Sequence, residues 1–149
     1  MSTSTSALSK ESLAYTYTTV PSFTNTMVGF SASNNTLLVT TITTTNAFDA
    51  LSITIDNPGV YLCEGTIEYQ ATPIYNVVCS LSTTSATLNN TNKASARTSG
   101  TISINTNVPV TTIITIAAAN TTLYCVGQCQ NSSPTLTISS GFIKYTRIA

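Results

Sequence analysis

The chain has 149 residues, with five basic and five acidic side chains, no histidine and a formal net charge of +0. Charged residues are 7% of the total, against roughly 25% in ordinary soluble domains. Lys10, Lys93, Arg97, Lys144 and Arg147 are too few and too scattered to track a phosphate backbone, and the lack of histidine removes Ser-His-Asp and Cys-His catalysis.

This length suits one domain with a core large enough to fold unaided. Ser and Thr make up about a third of the residues, and with Ile, Val and Tyr they favour pleated, half-buried surfaces. A polar but nearly uncharged exterior suits a protein much of whose surface meets other subunits. No apolar run approaches the roughly 18 residues of a membrane span, so no membrane insertion is expected. "MSTSTSALSKES" has no basic segment followed by an apolar one, so no secretory signal is expected. Sequons start at Asn34, Asn89, Asn120 and Asn131, but 13 asparagines among so many Ser and Thr residues produce that number by chance.

Residues 1–26 form a polar arm or a loosely attached leading strand, and residues 27–149 form the domain. "MVGFSAS" (27–33) alternates, and "TLLVTTITTT" (36–45) follows the Asn34-Asn35 turn. "LSITI" (51–55) puts Leu51, Ile53 and Ile55 on one face. Asn57-Pro58-Gly59 then turns the chain. In "VYLCEGTIEY" (60–69), Tyr61, Cys63, Gly65, Ile67 and Tyr69 share one face, while Glu64, Thr66 and Glu68 lie on the other with Val60 and Leu62. "IYNVVCSL" (74–81) repeats the scheme with Tyr75, Val77, Cys79 and Leu81. Residues 82–100 form a polar loop of about nineteen residues, a length usually functional or mobile. "TISIN" (101–105), "VTTIITIAAA" (110–119), "TLYCVGQCQ" (122–130) and "TLTISSGFIKYTRIA" (135–149) complete eight to ten strands. No segment carries a helical period, so the expectation is an all-β sandwich or barrel.

Little in this pattern points to catalysis. Glu64 and Glu68 share a face, yet four residues along a strand separate their backbones by roughly 13 Å. That is poor geometry for a glycosidase pair, whose carboxyls stand about 5–9.5 Å apart. The glutamates fit a polar strand face or a subunit boundary better, with Lys144 and Arg147 as mates. Cys63 and Cys79 sit on the inward faces of consecutive strands and are candidate cross-strand neighbours. Four buried thiols packing as small hydrophobes are favoured over one disulfide or a zinc site, because only Cys125 and Cys129 have knuckle spacing and they lie mid-strand. No glycine-rich phosphate cradle exists, and no cofactor or metal is implied. Asn90, Lys93 and Arg97 mark a candidate binding loop, with a solvated connector the plainer alternative.

"PGVYLCEGTIEY" resembles the strand that opens the core of C1q/TNF-like jelly rolls. "TLYCVGQCQ" is similar to that family's penultimate strand, and "SSGFIKYTRIA" to its last, whose Ser-Gly-Phe-aliphatic signature starts here at Ser140. Structural proteins of phages and large DNA viruses show a still closer layout. The matching features are Gly29-Phe30-Ser31, the Pro-Gly-x-Tyr-Leu stretch, Ser82 to Thr87, Tyr124, Val126 and Gln128, and the terminal Arg147-Ile148-Ala149. Cys125 and Cys129 depart from the family, which has small or aliphatic residues there, and no collagen-like or coiled-coil stalk precedes the domain.

The resemblance implies a two-sheet jelly-roll sandwich that assembles as a homotrimer. It further implies a non-enzymatic virion structural protein of a capsid, spike or fibre head, in contact with other virion proteins. Tyr61, Cys63, Ile67, Tyr69, Tyr124, Val126, Phe142, Ile143 and Tyr145 are the core and trimer-packing candidates. Phe142 and Ile148 are expected on one face of the last strand, with Ile143 and Tyr145 on the other. The rival class is a carbohydrate- or receptor-binding module that uses the 82–100 loop on a host-surface glycan.

Overall fold

The computed structural model describes residues 24–101 and 103–149. The assigned arm therefore lies outside the described residues, apart from its last three. No helix occurs among the described residues. The strands are β1 (Ser31–Asn34), β2 (Thr41–Ile42), β3 (Phe48–Ile55), β4 (Gly59–Gln70), β5 (Asn76–Ser82), β6 (Lys93–Arg97), β7 (Thr106–Ile116), β8 (Thr121–Cys129) and β9 (Leu136–Arg147). One sheet has the order β1-β9-β4-β7, with β2 also paired to β9, and the other has the order β3-β8-β5-β6. Every pair is antiparallel. The first strand lies beside the last, and the chain passes from sheet to sheet at most connections. This is the two-sheet jelly-roll sandwich, which needs neither parallel pairing nor crossover helices.

The core is the filling between the sheets. Tyr61, Cys63, Ile67 and Tyr69 of β4 are buried, as are Leu51 and Ile55 of β3, Leu123 and Cys125 of β8, and Ile143 and Tyr145 of β9. Full burial of one such aliphatic side chain contributes about 1.5–3 kcal/mol. The two central tyrosines also satisfy their hydroxyls. Tyr69 Oη donates to the Val78 carbonyl at 2.6 Å, and Tyr61 Oη donates to that of Asn57 at 2.7 Å. Gly127 is small by necessity, since a β-carbon there would stand 2.4 Å from Phe48 Cζ and 2.6 Å from Tyr69 Oη.

Several strand expectations change. Residues 27–30 are turn, with Met27 N–H bonded to the Thr24 carbonyl and Phe30 N–H to that of Met27. Of the stretch 36–45, only Thr41 and Ile42 form a strand. The rest bridges the open side of the sandwich: Leu38 N–H donates to Ala50 of one sheet, and Thr40 accepts from Ile138 of the other. Thr101 and residues 103–105 are not in a strand, and Ile102 lies outside the described residues. Gly100 takes φ +75° and Ile104 N–H closes a turn onto Thr101.

The nineteen-residue loop is also corrected, because β6 lies inside it and pairs with β5. What remains after β5 is the connection 83–92, which folds over the outer face of the second sheet. Asn89 N–H donates to Ser80 Oγ at 3.2 Å, and Leu81 N–H to Asn92 Oδ1 at 3.2 Å. Asp49 holds the far side, accepting from Ser85 Oγ at 2.5 Å and from Ala86 N at 2.7 Å. That anchor accompanies a left-handed Ala86, at φ +48°. Val78, Ser80 and Val126 are buried beneath this cover on the face opposite the main core.

Candidate interface on the outer face of the first sheet

Four strands present one continuous outer face. Its rows follow from register: Leu62 lies opposite Ile113 and Thr146, Glu64 opposite Thr111 and Lys144, Thr66 opposite Pro109 and Phe142, and Glu68 opposite Asn107 and Ser140. The strict alternation of β4 produces this division, since its odd residues fill the core and its even ones point outward. Ile113 is 62% exposed and Phe142 41%. Leu62 is half-buried opposite Ile113, with half-buried Val60 next to it along the same face of β4. The face therefore combines apolar side chains with threonines, and its only charges among the described residues are Glu64, Glu68 and Lys144.

Those charges are matched locally. Lys144 Nζ lies 3.5 Å from Glu64 Oε2. Glu68 accepts from Asn105 Nδ2 at 3.2 Å and from Ser140 Oγ. The two glutamates are thus drawn to different partners. Arg147, the other expected mate, does not pair with either one. Its guanidinium sits 5.6 Å from the centroid of the Tyr61 ring and donates through Nη1 to the Pro58 carbonyl at 2.8 Å and to Tyr61 Oη at 2.9 Å. Tyr61 meets Tyr145 edge-on at 5.4 Å, so this end of the sandwich is an aromatic-cation stack.

The nine packing candidates separate into three environments. Tyr61, Cys63, Ile67, Tyr69, Ile143 and Tyr145 lie in the core between the sheets. Phe142 is on the outer face just described. Val126 and half-buried Tyr124 are on the outer side of the second sheet, where the 83–92 connection, and not another subunit, covers Val126. Leu62 and Ile113 also belong to the outer face but are not among the nine candidates. The signal was available, since Leu62 shares the even face of β4 with Glu64, and Ile113 follows from the odd positions of β7.

The candidate binding loop is rearranged as well. Lys93 and Arg97 open and close β6 on its exposed side, roughly 13 Å apart. Asn90 remains in the connection, and its Oδ1 accepts from Lys93 Nζ at 2.9 Å.

All four cysteines are buried free thiols. Cys63 and Cys79 are not cross-strand neighbours, because β4 and β5 belong to different sheets. Cys79 instead meets Cys125, with the two Sγ atoms 3.4 Å apart. Cys79 lies opposite Gly127 and Cys125 opposite Leu81, so they are diagonal neighbours. Diagonal Cα atoms stand about 7–8 Å apart, at or beyond the reach of a disulfide without backbone movement. The Cys125 contact and burial push the Cys79 thiol well above its ordinary value, and burial pushes Cys63 up to about 12. These thiols pack; they are not primed to react. Among the described residues, no group of three or more Cys, Asp or Glu side chains could hold a metal ion.

A scan against protein-family models and a search of curated proteins found no match to this chain.

Proposed function

We propose that this chain is a non-enzymatic structural subunit of a virion, assembled as a homotrimer through the outer face of the β1-β9-β4-β7 sheet. The observation that carries this reading is the makeup of that face. Exposed Ile113 lies opposite Leu62 and exposed Phe142 opposite Thr66, and the charged residues of the rows between and beyond them already have partners. On burial the apolar groups of such a surface gain, and each of its charges leaves water with a partner already in place. The low charge of the whole chain supports the same reading, since monomer solubility ordinarily relies on charge. The C1q/TNF-like resemblance and the resemblance to phage and large DNA virus proteins supply the virion setting and the threefold symmetry.

Native mass spectrometry of the purified chain tests the assembly. A trimer at micromolar concentration is expected, and Phe142→Glu should convert it to a monomer with an unchanged far-UV spectrum. A wild-type monomer at that concentration would sink the reading. Co-purification with virus particles tests the setting. Specific binding on a glycan array, lost on changing Lys93 and Arg97 to Ala, would favour a carbohydrate-binding module instead.

A further inference from the structure

We propose that Glu68 takes up a proton when a neighbouring copy covers the outer face, so that acid strengthens assembly. The inference rests on the subunit reading above and names how that contact is regulated. The two glutamates of the face differ in their partners. Glu64 has an ammonium beside it, Lys144 Nζ at 3.5 Å. Glu68 is held by neutral donors: Asn105 Nδ2 donates to its Oε2 at 3.2 Å, and Ser140 Oγ donates to the same oxygen. These bonds orient the carboxylate but bring no opposite charge to it.

The neighbours of Glu68 are neutral on each strand beside it. Its register partners are Asn107 on β7 and Ser140 on β9. Gln70, next along the same face of β4, donates to Asn105 Oδ1 and so fixes the amide that faces Glu68. The other charged groups of the face among the described residues are Glu64 and Lys144, about 13 Å away along the strands and paired with each other. Lys93, Arg97 and Asp49 belong to the second sheet. Asp56 and Arg147 lie at the opposite end of β4, where Arg147 is bonded to Tyr61.

Covering this face treats the two carboxylates differently. A carboxylate taken out of water without an opposite charge shifts toward its neutral form. Glu64 stays ionised, because protonating it would strand the Lys144 ammonium. Protonating Glu68 strands nothing. Its network also has a place for the proton, since a hydroxyl both donates and accepts: the protonated carboxyl donates to Ser140 Oγ and still accepts from Asn105. Glu68 is already half-buried in the single copy, so a neighbour removes only the remaining solvent.

The sign follows from linkage. The assembled state binds more protons than the free chain, and such a state gains as pH falls. Association therefore strengthens toward acid by up to about tenfold per pH unit for each copy, and levels off below about 4.3, the ordinary glutamate value. The chain has no histidine, so no other side chain ordinarily changes charge between about pH 5 and pH 7.

Sedimentation equilibrium of the full chain across that range, at constant ionic strength, tests the proposal. The association constant should be at least about tenfold larger at the acid end. Glu68→Gln keeps an acceptor for Asn105 and Ser140 without the charge. It should assemble at neutral pH as tightly as the wild type does in acid, and with no slope. The double variant Glu64→Gln, Lys144→Ala should keep the slope, and its loss there would overturn the assignment to Glu68. A slope that survives Glu68→Gln, or a trimer whose association ignores pH, overturns the proton at Glu68 and leaves the subunit reading standing. A wild type without slope that acquires one in Lys10→Ala gives Glu68 an ammonium partner and likewise overturns the proposal. A monomer at every pH overturns both readings.

Discussion

Glu64 and Lys144 stand directly opposite each other on β4 and β9, with Oε2 and Nζ 3.5 Å apart and side chains 36% and 41% exposed. In a single copy such a pair contributes little, about 0–1 kcal/mol, because water screens it. Under a neighbouring subunit the same pair is desolvated, and removing one partner strands the other. Lys144→Ala should therefore shift monomer unfolding by less than about 1 kcal/mol while weakening assembly by about 2–5 kcal/mol. Denaturation at low concentration measures the first quantity and sedimentation equilibrium the second. Equal, small effects on both would remove this face from the interface.

Gly127 separates Phe48 from Tyr69. Gly127→Ala places a methyl group against the Phe48 ring and the Tyr69 hydroxyl, which is bonded to Val78. The expected cost is about 1–3 kcal/mol from overpacking. Urea denaturation should show it as a lower midpoint with unchanged slope. Tyr69→Phe in that background should recover part of the loss, by removing one of the two opposing groups.

Asp49 is the anchor of the 83–92 connection. Asp49→Ala removes both bonds to Ser85 and Ala86, each a charge-assisted bond of about 1.5–3 kcal/mol. Faster amide exchange is expected across residues 83–92, with new exposure at Ser80 and Val126 beneath. Unchanged exchange there would mean that the connection is held by Asn89 and Asn92 alone.

The buried thiols predict alkaline instability. Burial pushes Cys63 up to about 12 from 9.0 and raises Cys129 as well; the Cys125 contact and burial raise Cys79. Above pH 9 the unfolded chain releases these protons while the native one keeps them. The stability that Cys63 contributes is thus full below about pH 9 and falls as pH rises toward 12, by about 1.4 kcal/mol per pH unit, and Cys79 and Cys129 act in the same direction. Cys63→Ala should flatten the urea-stability curve between pH 9 and 11 by about one thiol's slope. Alkylation after unfolding without reductant should find four free thiols, and fewer would indicate a disulfide.

Much of the sandwich is legible in local pattern. The Asn57-Pro58-Gly59 turn and the alternation of β4 identify which side chains face inward, because the pleat has a period of two and one face must be apolar. Long β9 and β8 are legible for the same reason. β6 is not, since Lys-Ala-Ser-Ala-Arg has no branched or aromatic residue and is a strand only because β5 lies beside it. Residues 103–105 err in the other direction, since Gly100 at positive φ and the turn from Thr101 to Ile104 take the place of the expected strand. On the outer face, the period of each strand places Phe142 and Ile113 outward, whereas that Ile113 stands opposite Leu62 requires knowing that β7 pairs with β4.

The sequence by itself determined the fold class, the low charge and the inward face of each long strand, all of which follow from composition and period. Only the tertiary structure decided the partners. It gave Lys144 to Glu64 and Arg147 to Tyr61, brought Cys79 to Cys125 and not to Cys63, and buried Val126 under a connection on the far side of its sheet. Each of these depends on which strands become neighbours and in what register. That is set by the closing of two sheets around one core, and no single strand carries it.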